Sequence, residues 1–324
     1  MKKVGITTTV PVEVIYAGGY IPVDLNNVFI TCSDPGSLVD QAELAGYPRN
    51  VCAWIKGLYS TVLTGGIDTV VAVTQGDCSN THALMETLQL NGVKVIPFAY
   101  PFDRDTDLLK LQIHKLMEYF NADPGEVEQT RLRLGAIRQK VKRLDELTWR
   151  ENAVDGWHNH LFQVNCSDFK GDPGAFEKEL DEYLEGLKPV PEAEKKIRLA
   201  YIGVPPIMDD IYDYLEDRGA RVVFNETQRQ FAMPYDTSGL VEQYRLYTYP
   251  YGIFYRLEDI MLEIKRRKVQ GVIHYAQSFC YRQIEDIIVR DRVNLPVLTL
   301  EGDKPNRLDA RTKMRIDSFL EMLS

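Results

Sequence analysis

The sequence predicts an α/β protein with two Rossmann-like or flavodoxin-like parallel-sheet domains and a helical connecting segment. Short β-branched runs alternate with stretches of helical periodicity, which is typical of parallel strands joined by crossover helices. This alternation occurs twice, on either side of a mostly helical stretch over about residues 103–151. The predicted strands are 4–8, 21–25, 69–73 and 93–98 in the first part and 198–203, 221–224, 269–275 and 297–300 in the second.

The helical stretch carries one apolar stripe. Its apolar residues recur at steps of three and four, which is the spacing of one helix face. These residues are Leu134, Ile137, Val141, Leu144 and Leu147. We expect this helix to cover a sheet or a neighbouring subunit.

The boundary between the two domains is predicted where the composition is most typical of a linker. Residues 188–192 read Lys-Pro-Val-Pro-Glu, and the two prolines cannot continue the helix before them. We therefore predict an N-terminal domain with the helical arm over residues 1–190, and a C-terminal domain over residues 191–324.

Composition and charge exclude several classes of protein. The 324 residues are 44% hydrophobic and 26% charged, as in globular proteins, and the net charge of −9 disfavours binding along nucleic acid. No stretch approaches the roughly 18 to 20 apolar residues that span a bilayer, and the first residues resemble no signal peptide. We expect a cytoplasmic protein that binds neither nucleic acid nor membrane.

The five cysteines are the first candidates for metal ligands. They are Cys32, Cys52, Cys78, Cys166 and Cys280. An odd number of thiols in a cytoplasmic chain makes a poor disulfide framework, because the cytosol keeps thiols reduced. No pair has the Cys-x-x-Cys spacing of zinc fingers or ferredoxins, so any metal site has to be assembled in space.

Two cysteines follow predicted strands where helices are expected to begin. Cys78 stands between the strand 69–73 and a predicted helix over 81–90, and Cys280 follows the strand 269–275 with a helix expected from about Tyr281. In open parallel sheets the ligand crevice lies beyond the carboxyl ends of the strands. Both thiols are therefore expected at such a crevice, one in each domain.

Cys52 is expected near a third helix start, with Asn50 as the N-cap residue. The dipole and the free N–H groups of a helix N-terminus stabilise thiolate, which is the form that binds metal. We therefore expect three thiolates to converge across a cleft between the domains.

The alternative is that the cysteines are small buried apolar residues, which is the commonest role of a lone cysteine. Cys32 follows an apolar run and Cys166 lies at no strand-to-helix junction, so this interpretation is retained for both. For the other three, their position counts against it, since an apolar side chain has no preference for strand-to-helix loops.

At these residues the sequence resembles the 2-hydroxyacyl-CoA dehydratase family, which includes 2-hydroxyglutaryl-CoA dehydratase subunits, benzoyl-CoA reductase subunits and double-cubane cluster proteins. Three motifs are similar to those of the family's cluster cysteines: Cys52 in Cys-x-Trp-x-Lys-Gly, Cys78 in Gly-Asp-Cys, and Cys280 ten residues into Gly-Val-Ile-x-x-x-x-x-Phe-Cys. The Pro-x-Glu helix start at Glu13 and the closing strand and helix from Pro296 are also similar. The resemblance covers nearly the whole chain.

The resemblance implies that Cys52, Cys78 and Cys280 hold a [4Fe-4S] cluster with one open iron. It also implies an ATP-hydrolysing iron–sulfur activator as a partner, since the chain has no Walker lysine motif of its own. The activator's low-potential electron would drive radical dehydration or reduction of an acyl-CoA thioester in anaerobic metabolism. The expected enzyme is a lyase or an ATP-dependent oxidoreductase.

Other cofactors and functions stay open at this point. An [8Fe-9S] double-cubane cluster needs about six thiolates, so five cysteines would require sharing across a dimer interface. Such a protein would reduce small molecules. Since family dehydratases pair related subunits, a homodimer or a heterodimer is expected. A non-catalytic cluster carrier or assembly protein and a mononuclear zinc protein are the remaining alternatives.

Glu13 and His82 are the candidate catalytic residues. Glu13 begins a predicted helix, where it would act as an acid or base or only stabilise the first helical turn. His82 lies four residues after Cys78 and would donate a hydrogen bond to a cluster sulfide, unless it is merely solvated. His158 and His160 form a His-x-His pair, but no third ligand nearby supports zinc.

Overall fold

A computed structural model describes residues 1–188 and 196–324 and contains two sheets of four parallel strands each. This confirms the predicted α/β fold with two parallel sheets, and each predicted strand is present within two or three residues of its expected ends. The strands are β1 (Lys3–Ile6), β2 (Ile21–Asp24), β3 (Thr69–Gln75), β4 (Lys94–Ala99), β5 (Ile197–Gly203), β6 (Ala220–Asn225), β7 (Gly271–Gln277) and β8 (Val297–Gly302).

Both sheets have the same strand order. The first is β2-β1-β3-β4 and the second is β6-β5-β7-β8. This order is that of flavodoxin-like sheets, in which the ligand crevice lies where the strand order reverses, between the first and third strands. The two crevices are therefore expected after β1 and β3 and after β5 and β7.

Helices cover the sheets and fill the connection between them. They are α1 (Val12–Ala17), α2 (Leu25–Thr31), α3 (Pro35–Leu44), α4 (Ala53–Thr64), α5 (Thr81–Leu90), α6 (Thr106–Phe120), α7 (Pro124–Arg150), α8 (Gly156–Val164), α9 (Pro173–Gly186), α10 (Ile211–Glu216), α11 (Glu226–Phe231), α12 (Leu240–Leu246), α13 (Ile253–Arg266), α14 (Asp286–Arg292) and α15 (Ala310–Leu323). Short 3₁₀ turns occupy Asn165–Ser167, Phe169–Gly171 and Tyr281–Gln283. No helix in the described residues combines the length and the hydrophobicity needed to cross a membrane.

The predicted helical stretch 103–151 consists of α6 and α7, and helices continue beyond it to Gly186. The break between α6 and α7 has a local cause, because Asn121 adopts a left-handed conformation with φ of 49° and Asp123 caps the next helix. The predicted linker reaches into residues 189–195, so the predicted boundary between residues 190 and 191 lies outside the described residues.

Helix α7 packs its predicted apolar stripe into the core and buries two charges as well. Arg138 forms an ion pair of 2.6 Å with Glu13 on α1. About two turns later, Asp145 accepts two hydrogen bonds from Arg267 after α13, of 2.8 and 2.6 Å. Helix α7 thus forms a buried ion pair with an element next to each sheet.

Replacing Asp145 with alanine is expected to lower the free energy of unfolding by about 3 kcal/mol, because the buried Arg267 would lose one of its two carboxylate partners and keep only Glu263, at 2.6 Å. Denaturant unfolding measures this change. The matched control is Glu182→Ala, whose exposed pair with Lys178 spans 3.6 Å and is worth at most about 1 kcal/mol. Equal small effects of the two variants would contradict the role of the buried pair.

Candidate functional site

A cavity of about 420 Å³ is lined by turns of both sheets. Thr7 and Thr8 follow β1, Asp77 and Cys78 follow β3, residues 204–209 follow β5, and Cys280 follows β7. The two crevices expected from the strand order therefore open into one cavity. All three cysteines predicted to converge, Cys52, Cys78 and Cys280, line it.

A tight glycine turn delivers Cys78 to the cavity. Gly76 has φ of +99°, and a Cβ atom there would lie 2.8 Å from the Cβ of Pro250. Only glycine fits this combination of backbone conformation and close approach. The predicted helix after this turn is confirmed as α5, and Cys78 stands three residues before its first residue, Thr81.

Cys280 follows a residue with an unusual backbone conformation. Phe279 has φ of +64°, which residues other than glycine rarely adopt. Such backbone strain is concentrated at functional sites. The backbone N–H of Cys280 donates to the carbonyl of Gln277 at 3.0 Å and closes the turn. The helix expected from Tyr281 is only a 3₁₀ turn, and the next α-helix begins at Asp286.

Cys52 is itself the N-cap residue of α4, so the prediction of Asn50 in that role is wrong. Cysteine offers no side-chain capping bond here, but its carbonyl accepts the first helical hydrogen bond from Lys56 at 3.3 Å. The Lys56 ammonium is buried and pairs with Glu43 at 2.8 Å. This pair fixes the first turn of α4 and therefore the position of the Cys52 thiol.

The three thiols interact with one another electrostatically. Burial raises the pKa of Cys52 and of Cys78 to about 12, and the other thiols together with Asp77 add to the increase. Burial also raises the pKa of Cys280. The expectation that helix N-termini favour thiolate is thus outweighed, because burial disfavours charge more than the nearby N–H groups favour it.

Cys52, Cys78 and Cys280 could supply thiolate ligands to a metal centre in the cavity. Within residues 1–188 and 196–324, no group of three or more His, Cys, Asp and Glu side chains is arranged so that it could hold a metal ion. One zinc ion needs all its thiolates at about 2.3 Å from one centre, whereas a cluster takes one thiolate at each iron and so accepts thiols farther apart. A cluster in this cavity would therefore take each of the three thiols at a separate iron.

Cys32 and Cys166 differ in their surroundings. Cys32 follows α2 and also lines the cavity, which the interpretation as a buried apolar residue does not predict. Its thiol is not among the groups that shift the pKa of Cys52, Cys78 or Cys280. Cys166 is fully buried and donates its S–H to the carbonyl of Phe162, as expected for a small core residue.

Glu13 and His82 do not line the cavity. Glu13 is buried, and Arg138, Gln243 and Tyr244 donate hydrogen bonds to its carboxylate at 2.6 to 2.8 Å. Burial opposes its ionisation, but the attraction of Arg138 and these hydrogen bonds outweigh burial and lower its pKa. His82 is exposed, with Nε2 at 3.1 Å from the carbonyl oxygen of Thr74. Their catalytic roles stay predictions.

The cavity also holds acidic residues to which the sequence analysis assigns no role. Asp77 stands in the Gly-Asp-Cys motif, and burial raises its pKa to about 6, although Arg282 opposes this. Asp24 lines the cavity at the end of β2, and its backbone N–H donates to the carboxylate of Asp168 at 2.7 Å. Burial raises the pKa of both members of this pair, that of Asp168 to about 7.

His158 and His160 point to different places, which removes them as a zinc pair. The Nδ1 of His158 lies 2.7 Å from Asp155, and its ring stacks on Tyr183. His160 is 8% exposed and lines the cavity. A two-residue spacing on a helix turns the two side chains by about 200°, so they cannot share one ligand.

The Asp24–Asp168 pair predicts a pH dependence of stability. The folded protein holds a proton at Asp168 more tightly than the unfolded chain, so the free energy of unfolding falls as pH rises from the ordinary pKa of 3.8 to about 7. Asp168→Asn is expected to reduce this fall. Denaturant unfolding across that pH range measures it, with the exposed Asp291→Asn as control. An unchanged fall in Asp168→Asn would refute the assignment.

Comparison with known proteins supports the resemblance seen in the motifs. No curated protein matches the sequence. The family described as 2-hydroxyglutaryl-CoA dehydratase, D-component, matches residues 7–323. The match includes strands β2 to β8 and the three cysteines Cys52, Cys78 and Cys280. The chain therefore belongs to the 2-hydroxyglutaryl-CoA dehydratase D-component family and is a dehydratase-type enzyme of that family.

Proposed function

We propose that Cys52, Cys78 and Cys280 hold a [4Fe-4S] cluster in the cavity and that the protein dehydrates or reduces an acyl-CoA thioester there. The observation that carries the proposal is that three cysteines from three separate segments line one cavity at the carboxyl ends of both sheets. Membership of a dehydratase family supports a 2-hydroxyacyl-CoA as the substrate class. We propose an ATP-hydrolysing iron–sulfur activator as the electron donor.

The chemistry that a cluster supplies is a low-potential electron and, with three thiolate ligands, one iron open to a ligand. The chain has to supply thiolates for it. Since the pKa values of Cys52 and Cys78 are near 12, metal binding has to displace their protons. The buried Arg282 favours the thiolate of Cys280 by its positive charge.

Part of the cavity wall is apolar. Trp54, Ile207 and Phe231 line the cavity and are wholly or largely buried. An apolar wall lowers the local dielectric constant and so strengthens every charge interaction inside the cavity. A substrate radical would also be shielded there from side reactions with solvent.

Anaerobic reconstitution with iron and sulfide tests the ligand set. We expect about four irons and four acid-labile sulfides per chain in the wild type. Cys52→Ala, Cys78→Ala and Cys280→Ala are each expected to lose most of both. Cys32→Ala and Cys166→Ala are the matched controls and are expected to keep them. Zinc without labile sulfide, or full retention in all three variants, would refute the cluster.

An enzyme and a cluster carrier differ in their response to substrate. In the dithionite-reduced protein, we expect 2-hydroxyglutaryl-CoA to change the EPR signal of the cluster, since one iron and the cavity are open to ligand. CoA without the acyl group is the control. A carrier or assembly protein would give the same spectrum with and without the thioester.

A further inference from the structure

His160 is a buried histidine in the cavity wall that the cluster ligands leave without a role. It lies on α8, is 8% exposed and is one of the residues that line the cavity. Its ring stacks on that of Trp157, with ring centres 5.3 Å apart and planes within 10° of parallel. Trp157 also lines the cavity, so the stack fixes the plane of the imidazole at the wall.

A chain of hydrogen bonds holds one ring nitrogen of His160. Asp145 accepts from the amide of Asn159 at 3.0 Å, and Asn159 in turn accepts from Asn225 at 2.8 Å. Asn225 then accepts the hydroxyl proton of Tyr212 at 2.7 Å. The Tyr212 oxygen, whose proton is thus engaged, lies 3.2 Å from Nδ1 of His160.

The position of Gln228 determines which nitrogen of His160 carries the proton. The Gln228 amide nitrogen lies 3.1 Å from Nδ1 of His160 and 3.4 Å from the hydroxyl oxygen of Tyr212. An amide nitrogen can only donate, so in this orientation of the Gln228 amide Nδ1 is the acceptor and the proton of the neutral ring sits on Nε2. Among the described residues, Nε2 has no hydrogen-bond partner.

Burial alone lowers the pKa of His160 to about 3. The imidazole therefore stays neutral at neutral pH and keeps its Nε2–H. A neutral donor held in a water-poor cavity stabilises negative charge that develops on a ligand oxygen, and it needs no reorganisation to do so. The donor is aligned in advance, because the stack and the Nδ1 contacts leave the ring little freedom.

We propose that His160 is a substrate-binding residue whose Nε2–H donates a hydrogen bond to the thioester carbonyl oxygen of the acyl-CoA in the cavity. The inference rests on the proposed function for the identity of the ligand. It goes beyond that function by assigning the contact with the reacting carbonyl to this residue. A carbonyl oxygen is the group that a neutral N–H donor recognises and that gains negative charge when the thioester accepts an electron.

Three replacements of His160 distinguish a role in binding from a structural role. Glutamine places an amide nitrogen near the position of Nε2 but leaves Nδ1 without a substitute, whereas asparagine places a polar atom near Nδ1 and none near Nε2. Leucine removes both. A purely structural role predicts that His160→Asn is the better substitute, and a role in binding predicts that His160→Gln is.

The experiment is anaerobic calorimetry on the reconstituted protein with 2-hydroxyglutaryl-CoA and with CoA alone as probes. Iron and labile sulfide are counted in every variant. We expect His160→Leu and His160→Asn to bind the thioester about tenfold more weakly than the wild type, and His160→Gln to recover most of the loss. Binding of CoA alone is expected to be equal in all four proteins, because CoA lacks the acyl carbonyl.

Each other outcome overturns the inference in a recognisable way. If His160→Leu binds the thioester as tightly as the wild type, His160 does not contact the carbonyl, while the proposed function stands. If His160→Asn and not His160→Gln recovers binding, or if CoA binding falls too, the residue is structural. If the wild type binds no thioester, both the proposed substrate class and the inference about His160 are refuted.

Discussion

The two buried ion pairs of α7 are the constraint on which the cavity depends. Arg138 pairs with Glu13 beside the first sheet, and Asp145 pairs with Arg267 beside the second. Such pairs contribute little net stability compared with a well-packed apolar contact, but removing one partner leaves a buried charge uncompensated. The helix is thus held to both sheets at once. Because turns from both sheets contribute to the cavity wall, its shape depends on this attachment.

A chain of polar side chains connects the Asp145–Arg267 ion pair to the cavity. Asp145 orients Asn159 by a hydrogen bond, and further hydrogen bonds connect Asn159 through Asn225 to Tyr212, whose hydroxyl lies next to Nδ1 of His160. A buried network of this kind is satisfied at nearly every link, which makes it rigid and fixes the direction of each bond. The attachment of α7 therefore positions a donor in the cavity as well as holding the sheets.

Burial keeps the thiols of the cavity protonated and raises the pKa of Asp24, Asp77 and Asp168. Arg282 offsets part of this accumulation of acidic groups, since it attracts both Asp77 and the thiolate of Cys280. A positively charged metal centre would relieve the remainder, and its binding would release protons.

Local pattern determined the fold. Strand and helix positions followed from β-branched runs and apolar spacing. An element that is buried on one face has apolar residues at a regular spacing, and this spacing is visible in the sequence of a short segment. The placing of Cys78 and Cys280 after strands followed from the same pattern. Sequence alone misplaced the cap at Asn50 and the helix at Tyr281, since both depend on backbone turns shaped by their surroundings. The raised pKa values of the thiols and the hydrogen bonds that hold His160 were decided only by tertiary structure, because they depend on burial and on contacts between separate segments, which no local period encodes.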